Sequence, residues 1–308
     1  MNSIQIENIS KSYGNIVALK DISINVHKGE IFGLIGADGA GKSTLFDILV
    51  TLLLPDKGKA TIENLDVVKD YLKIRKLLGY MPGKFSLYQD LSVYENLDFF
   101  ASIFGGTIEE NYDLIKDIWV QIEPFQTRPA GKLSGGMKQK LALCCALVHK
   151  PTVLCLDEPT TGVDPVSRKE FWGMLKRLKE KEITILISTP YMDEAMLCDR
   201  VALIQQGTIM AIDTPLRITE KFGKKLFSIH SENLYRLLKD LRMYEETHSC
   251  YSFGQDVHLA VKSQATSKND LAQYLFSKGH ENVIVKIINA GIEDTFMELM
   301  NNSLKVES

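Results

Sequence analysis

The chain opens on alternation. "SIQIENIS" puts apolar side chains at nearly every second position, the pattern of a half-buried strand, and "DISINV" and "EIFGLIG" predict two further strands around the turn "HKGE". "LFDILVTLLL" then predicts a helix stopped by Pro55. "KATIEN" and "LLGYMP" read as short strands. Over residues 92–104 and 109–122 the apolar positions recur three and four apart, which predicts two helices; "GGMKQKLALCCALVHK" predicts a third, stopped by Pro151. "TVLCLDE" and "ITILIST" are near-continuous apolar runs, as expected of parallel strands buried on both faces. Between them "PVSRKEFWGMLKRLKEK" is an amphipathic helix with proline in its first turn. "RVALIQQGTIMAID" predicts a hairpin turning near Gln206 and Gly207. Strands alternating with helices imply an α/β layered fold with a parallel sheet.

The pattern changes near Phe222. From there the order reads strand "LFSIHS", helix "NLYRLLKDL", strands "HSCYSF" and "VHLAVKS", helix "NDLAQYLFSKG" and strand "NVIVKII", closed by the helix "IEDTFMELM". This β-α-β-β-α-β order is a split βαβ arrangement, so a small α+β domain is expected over 223–308, after a larger α/β domain over 1–222. Within the larger domain, residues from about 84 to 150 form a helical insertion.

Composition narrows the options only slightly. The 308 residues are 45% hydrophobic and 24% charged, enough for a sizeable core. The net charge of -3 offers no bulk attraction for nucleic acid, and none is expected as a partner. Cys144, Cys145, Cys155, Cys198 and Cys250 form no C-x-x-C pair and read as buried reduced thiols, which points to a reducing compartment. The polar N-terminus is not a signal peptide, and no run approaches the roughly 20 apolar residues of a membrane span. His230, His248, His258 and His280 show no ligand spacing and read as isolated histidines.

The chemistry begins with "GADGAGKST", which fits G-x-x-x-x-G-K-[ST] between an apolar strand and a helix. In the loop Gly36, Ala37, Asp38, Gly39, Ala40 and Gly41, the glycines let backbone N–H groups approach phosphate oxygens. The helix from Lys42, Ser43 and Thr44 onward points its positive end at the same anion. Lys42 would reach the β- and γ-phosphates of ATP, and the Ser43 hydroxyl would ligate Mg²⁺. "LCLDEP" ends a buried strand, so Asp157 emerges at the edge where open α/β sheets bind ligands and would hold the Mg²⁺. Glu158 beside it would polarise an attacking water as general base.

"KLSGGMKQKLALCCALVHKP", placed just before the Asp-Glu strand, resembles the signature of the ABC-type ATPases. The order of phosphate loop, helical insertion, signature, Asp-Glu strand, "TTGVD" and "STPYMDEA" extends the resemblance over residues 1 to about 222. It is nearest to ATP-binding subunits of antibiotic and multidrug efflux type that pair with ABC-2 permeases, whose tails often carry a phrase like "GIEDTFMELM". The resemblance implies a P-loop nucleotide-binding domain with a parallel-sheet core, an antiparallel β subdomain and the helical insertion. It implies that Tyr13 stacks on adenine. It implies that Ser134, Gly135 and Gly136 contact the γ-phosphate of a partner's ATP, and that Asp164 organises the interface of what is expected to be a homodimer. An integral membrane ABC-2 type permease is the implied partner, with the chain peripheral on the cytoplasmic face of the membrane. The segment from Lys84 to Phe104 would dock that permease. Of its aromatics, Phe99 and Phe100 read as a helical core stripe, and Phe85 and Tyr88 as surface.

Two positions depart from the pattern. Gly83 stands where the family has a glutamine near Mg²⁺ and the attacking water, with Lys84 or Gln89 as conceivable stand-ins. Pro190 stands where a histidine meets the γ-phosphate, and Tyr191 offers a hydroxyl nearby. Alone, "LSGGM" is a capped helix start and "TGVDP" a turn into a proline-led helix. An exporter ATPase is therefore the expected function. An ATP-gated regulatory subunit that scarcely hydrolyses is the alternative, and a non-transport ABC ATPase a remote one.

Overall fold

The structure, a computed structural model, describes residues 1–306. The chain divides into two compact units, Met1–Pro215 and Leu216–Ser308, so the division falls ahead of the compositional change near 222. In the first unit the chain runs through β1 (Asn2–Tyr13), β2 (Ile16–His27), β3 (Ile31–Ile35) and α1 (Lys42–Leu49). Then come β4 (Lys57–Ile62), β5 (Leu65–Asp66), α2 (Tyr71–Leu77) and β6 (Leu78–Met81). The insertion carries α3 (Val93–Ile103), α4 (Tyr112–Ile122) and α5 (Gly135–Leu147). The unit ends with β7 (Val153–Asp157), α6 (Pro165–Glu180), β8 (Thr184–Thr189), β9 (Arg200–Gln205) and β10 (Thr208–Asp213). A short helix, α7 (Pro215–Glu220), follows.

Two sheets organise this unit. An antiparallel one has the order β2-β1-β4-β5, and the other has the order β10-β9-β3-β8-β7-β6. In the second sheet β9, β3, β8, β7 and β6 pair in parallel, and only β10 runs antiparallel. The core joins Ile4, Ile6, Leu19, Ile22 and Ile24 of the antiparallel sheet with Leu45, Phe46 and Ile48 of α1 and Phe32 and Leu34 of β3. The β9–β10 hairpin turns at Gln206 and Gly207, both left-handed (φ 48° and 73°), as a tight two-residue turn requires.

The helices follow their sequence signals. Ser92 and Glu95 close a capping box on α3, and α4 buries Ile115, Ile118, Trp119 and Ile122 at helical spacing. α1 differs: it stops at Leu49 instead of reaching Pro55. Thr51 turns left-handed (φ 65°), and the N–H groups of Leu52 and Leu53 fold back to the carbonyl of Asp47. Periodicity alone does not reveal that turn. On α3 the buried face is Val93, Asn96, Leu97 and Ala101, and Phe99 is 37% exposed. Phe99 is therefore not a core residue; it packs edge-on against Tyr88 and Phe100 on the outer side.

The second unit contains β11 (Leu226–His230), α8 (Leu234–Arg242), β12 (Thr247–Phe253) and β13 (Asp256–Val261). It continues with α9 (Lys268–Ser277), β14 (Ile284–Ile288) and α10 (Ile292–Val306). Its antiparallel sheet has the order β12-β13-β11-β14, the topology of a split βαβ unit. Leu237 and Leu241 of α8 and Leu271 and Leu275 of α9 pack on Phe227, Ile229, Val257 and Leu259. The histidines here are not isolated. His230 pairs with Asp256 (3.0 Å), His280 with Asp240 (2.9 Å), His258 with Asp294 (2.7 Å) and His248 with Glu298 (3.0 Å). The last two carboxylates stand one turn apart on α10 and fasten it to β12 and β13. Among the described residues no cluster of metal-ligating side chains forms.

All five cysteines are buried and unbridged, and burial pushes every thiol up, Cys250 to about 12. No helix among the described residues is long and apolar enough to cross a membrane.

Candidate functional site

Four neighbouring strands bring their C-terminal ends to one edge of the parallel sheet. In spatial order β3 delivers the glycine loop, β8 delivers Thr189 and Pro190, β7 delivers Asp157 and Glu158, and β6 leads to Gly83. Parallel pairing makes this happen, because every strand then ends on the same side.

The loop is shaped by its glycines. A Cβ at Gly36 would lie 2.2 Å from the carbonyl oxygen of Ile204. Gly41 has φ 104°, and a Cβ there would lie 2.5 Å from the carbonyl of Ala18. The Gly207 N–H donates to the Ala40 carbonyl (3.0 Å), so the β9–β10 turn braces the loop from below while β2 closes it at Ala18. Tyr13 sits at the turn end of the β1–β2 hairpin, paired with Ile16 and 49% exposed, with the Lys11 ammonium 6.0 Å from its ring centroid. Ala37, Asp38, Gly39 and Ser43 are exposed, Thr44 half-buried.

Lys42 is 3% exposed, and each proton of its ammonium has a partner. It donates to the carbonyls of Gly36 (2.9 Å) and Ala37 (3.0 Å) and pairs with Glu158 Oε1 at 3.0 Å; Asp38 lies 3.9 Å away. Asp157 is 5% exposed and accepts from the Ser188 hydroxyl. Glu158 has φ 49°, a left-handed conformation that costs a side-chain-bearing residue about 1–3 kcal/mol and persists only where its surroundings enforce it. Its N–H donates to both the carbonyl (3.1 Å) and the hydroxyl (2.9 Å) of Ser188. Burial, and then the charge of Asp157, push the Asp47 carboxyl up, so negative charge is crowded one turn beyond Ser43 on α1.

Ser134, Gly135, Gly136 and Asp164 gather at a second place, where α5 and α6 begin. Ser134 caps α5 by accepting the Met137 N–H (3.4 Å). A Cβ on Gly136 would stand 2.6 Å from the Ser167 hydroxyl oxygen, and one on Gly135 would be 3.6 Å from the carbonyl of Gly162. Asp164 caps α6 through the N–H groups of Val166 and Ser167, and these bonds, Ser167 first, hold its carboxyl below the usual carboxylate range.

The departures sit where the motif order places them. A Cβ on Gly83 would be 3.3 Å from the Asp157 carbonyl and 3.5 Å from its carboxylate. Of the conceivable stand-ins, Lys84 is exposed, and the Gln89 carbonyl accepts the Gly131 N–H (2.9 Å). Behind Pro190, Tyr191 lies under the Arg168 guanidinium (4.4 Å), and a buried carboxylate, Glu194, joins Thr160 to Thr189. Sequence reasoning singled out neither Ser188 nor Glu194. The available signal was polar residues, "ST", closing an otherwise apolar strand.

A groove of about 400 Å³ opens between β6 and the insertion, lined by Met81, Pro82, Leu87, Phe100, Phe104 and His149. The His149 ring stacks on Phe104 (3.8 Å between centroids), and burial pulls its pKa down. Asn96, wholly buried, binds Tyr88 through both its N–H and its carbonyl and thereby fixes the groove's rim.

Residues 19–161 match the family model described as ABC transporter. The chain is 37% identical over 297 residues to the probable multidrug ABC transporter ATP-binding protein YbhF of Escherichia coli, covering 94% of this chain and 50% of that protein. This chain thus spans about half the length of that relative. It is 34% identical to the Nod factor export ATP-binding protein I of Rhizobium sp., over 85% of this chain and 90% of that protein. Among solved structures it is similar to the dimeric post-hydrolysis state of the ATP-binding cassette MJ0796 bound to ADP and Pi. That likeness has TM-score 0.62 and 26% identity, over 68% of this chain and 98% of that one.

Proposed function

The chain belongs to the ABC transporter family, and we propose that it is the ATP-binding and ATP-hydrolysing subunit of an exporter, working as a homodimer beneath a separate ABC-2 type permease. The observation that carries this reading is the ion pair of Lys42 with Glu158 at 3.0 Å, inside a glycine cradle at the ligand edge of the sheet. The loop N–H groups and Lys42 would bind the phosphates and Tyr13 the adenine. Glu158 would take a proton from the attacking water as general base. The cradle that a Cβ would fill and the crowded carboxylates of Asp157 and Asp47 fit a magnesium nucleotide. Ser43 and Asp157 would hold the Mg²⁺, whose charge neutralises that of the phosphates.

Ser134, Gly135, Gly136 and Asp164 cluster at helix starts apart from the Lys42–Glu158 pair, which supports a site completed by a second copy. The groove at Phe100 and Phe104 would receive a cytoplasmic helix of the permease, leaving this chain peripheral on that face of the membrane. The cargo would be drugs or other hydrophobic compounds, a reading supported by one relative named for multidrug transport and another for Nod factor export.

The test is steady-state ATP hydrolysis with Mg²⁺ across protein concentrations, beside Glu158→Gln. Turnover should rise more than linearly with protein and fall roughly 10²–10³-fold in the variant, the size of effect seen when a site loses one catalytic contact. Tight ATP binding with equal, negligible turnover in both proteins would instead favour an ATP-gated regulatory subunit, the reading that Gly83 and Pro190 motivate.

A further inference from the structure

The hydrolysis chemistry leaves one buried polar cluster unused. Glu194, in the short 3₁₀ helix Met192–Leu197, is 2% exposed. Its Oε2 accepts from the Thr189 hydroxyl (2.6 Å) and from the Thr160 hydroxyl (3.0 Å). The Thr189 oxygen in turn accepts the Tyr191 N–H (3.1 Å). An oxygen that receives two hydroxyl protons is acting as a carboxylate acceptor. Thr160 lies in the turn just after Glu158, and Thr189 is the last residue of β8, immediately before Pro190. One buried oxygen therefore ties the turn that carries the general base to the end of the neighbouring strand.

This tie bears on the strained backbone of Glu158. Ser188 holds its N–H side; the Thr160–Glu194–Thr189 bridge holds the chain beyond it. Pro190 adds nothing to this hold, having neither a donor side chain nor an N–H. The second Glu194 oxygen, Oε1, is buried without a hydrogen-bond partner, and so is Arg168 Nε. Arg168 Nη1 stands 4.0 Å from that oxygen while its guanidinium stacks on Tyr191. A cation on α6 thus faces the carboxylate without closing on it.

We propose that Glu194 is a positioning residue for hydrolysis: it holds the Glu158 turn in register with Lys42 through Thr160 and Thr189, with Arg168 as its counter-charge. The inference rests on the reading that the chain hydrolyses ATP.

The test compares wild type with Glu194→Gln, Thr189→Val, Thr189→Ser and the Glu194→Gln/Thr189→Val double variant. Glu194→Gln and Thr189→Val should each lower kcat about 10-fold or more with the KM for ATP within about twofold, because a misplacement near 1 Å can cost on the order of 10² in rate. Thr189→Ser keeps the hydroxyl and should retain wild-type kcat. The double variant should fall no further than the worse single one, as members of one network do. Unchanged kcat in Thr189→Val, or a loss confined to KM or to melting temperature, would overturn the proposal. Wild-type turnover no higher than that of Glu158→Gln would sink the hydrolysis reading itself, and with it this inference. That failure is visible before any Glu194 variant is compared.

Discussion

Gly83, beyond β6, and Pro190, beyond β8, flank the same pair of acids from opposite sides, because β7 lies between those two strands. Each replaces a side chain that the motif order leads one to expect, yet their surroundings are unlike. Gly83 is exposed, and the nearest atoms to a Cβ there belong to Asp157 alone. Pro190 stands before a buried network in which Thr189, Glu194 and Thr160 lock two strand ends together and Arg168 packs on Tyr191. The same kind of omission has therefore left an exposed stretch of backbone against Asp157 on one side and an anchored strand end on the other. A missing motif residue marks a lost contact only after the layer behind it is known.

Substitutions can break that comparison. The largest effect is expected behind Pro190: Glu194→Ala leaves two buried hydroxyls without their acceptor and should destabilise the first unit by about 2–4 kcal/mol in a denaturant titration. A loss below about 0.5 kcal/mol would mean that the network carries no weight. Pro190→His should come next, raising kcat about 10-fold, equivalent to ~1.4 kcal/mol of barrier, by restoring one contact to an otherwise anchored strand end. A fall in kcat would show that the proline is required where it stands. Gly83→Ala should do least: its Cβ meets Asp157 at ordinary to slightly tight distances, so stability should move by less than about 0.5 kcal/mol. A large loss there would equate the two sides and remove the contrast.

The parts of the molecule that could be read in the sequence are those set by local rules. The near-continuous apolar runs before Asp157 and Thr189 predict buried parallel strands, and "GADGAGKST" predicts a cradle because only glycine fits beside the carbonyls of Ile204 and Ala18. The β-α-β-β-α-β order of the second unit follows from periodicity in the same way. The Glu194 network is different in kind. Thr160, Thr189 and Glu194 look like ordinary polar residues until the pairing of β7 with β8 brings them together, and strand order is not written in any short stretch. The same holds for the four histidine–carboxylate pairs, which join residues 26 to 50 positions apart. Phe99 falls on the outer side and not in the core: helical spacing marks a stripe without saying which neighbour covers it.

The Lys42 ammonium has three protons, and the protein uses all three: two on the loop's own carbonyls and one on Glu158. A phosphate that engages this cation must displace a partner, and the one on a side chain is the half-buried carboxylate of Glu158, the other two being backbone carbonyls. Before that exchange the carboxylate proposed as general base is masked by its own cation, 3.0 Å from the Lys42 ammonium. The arrival of the substrate would then be the event that unmasks it. On the proposed reading such an arrangement would act as an interlock: the site would acquire its base only when there is a bond to break.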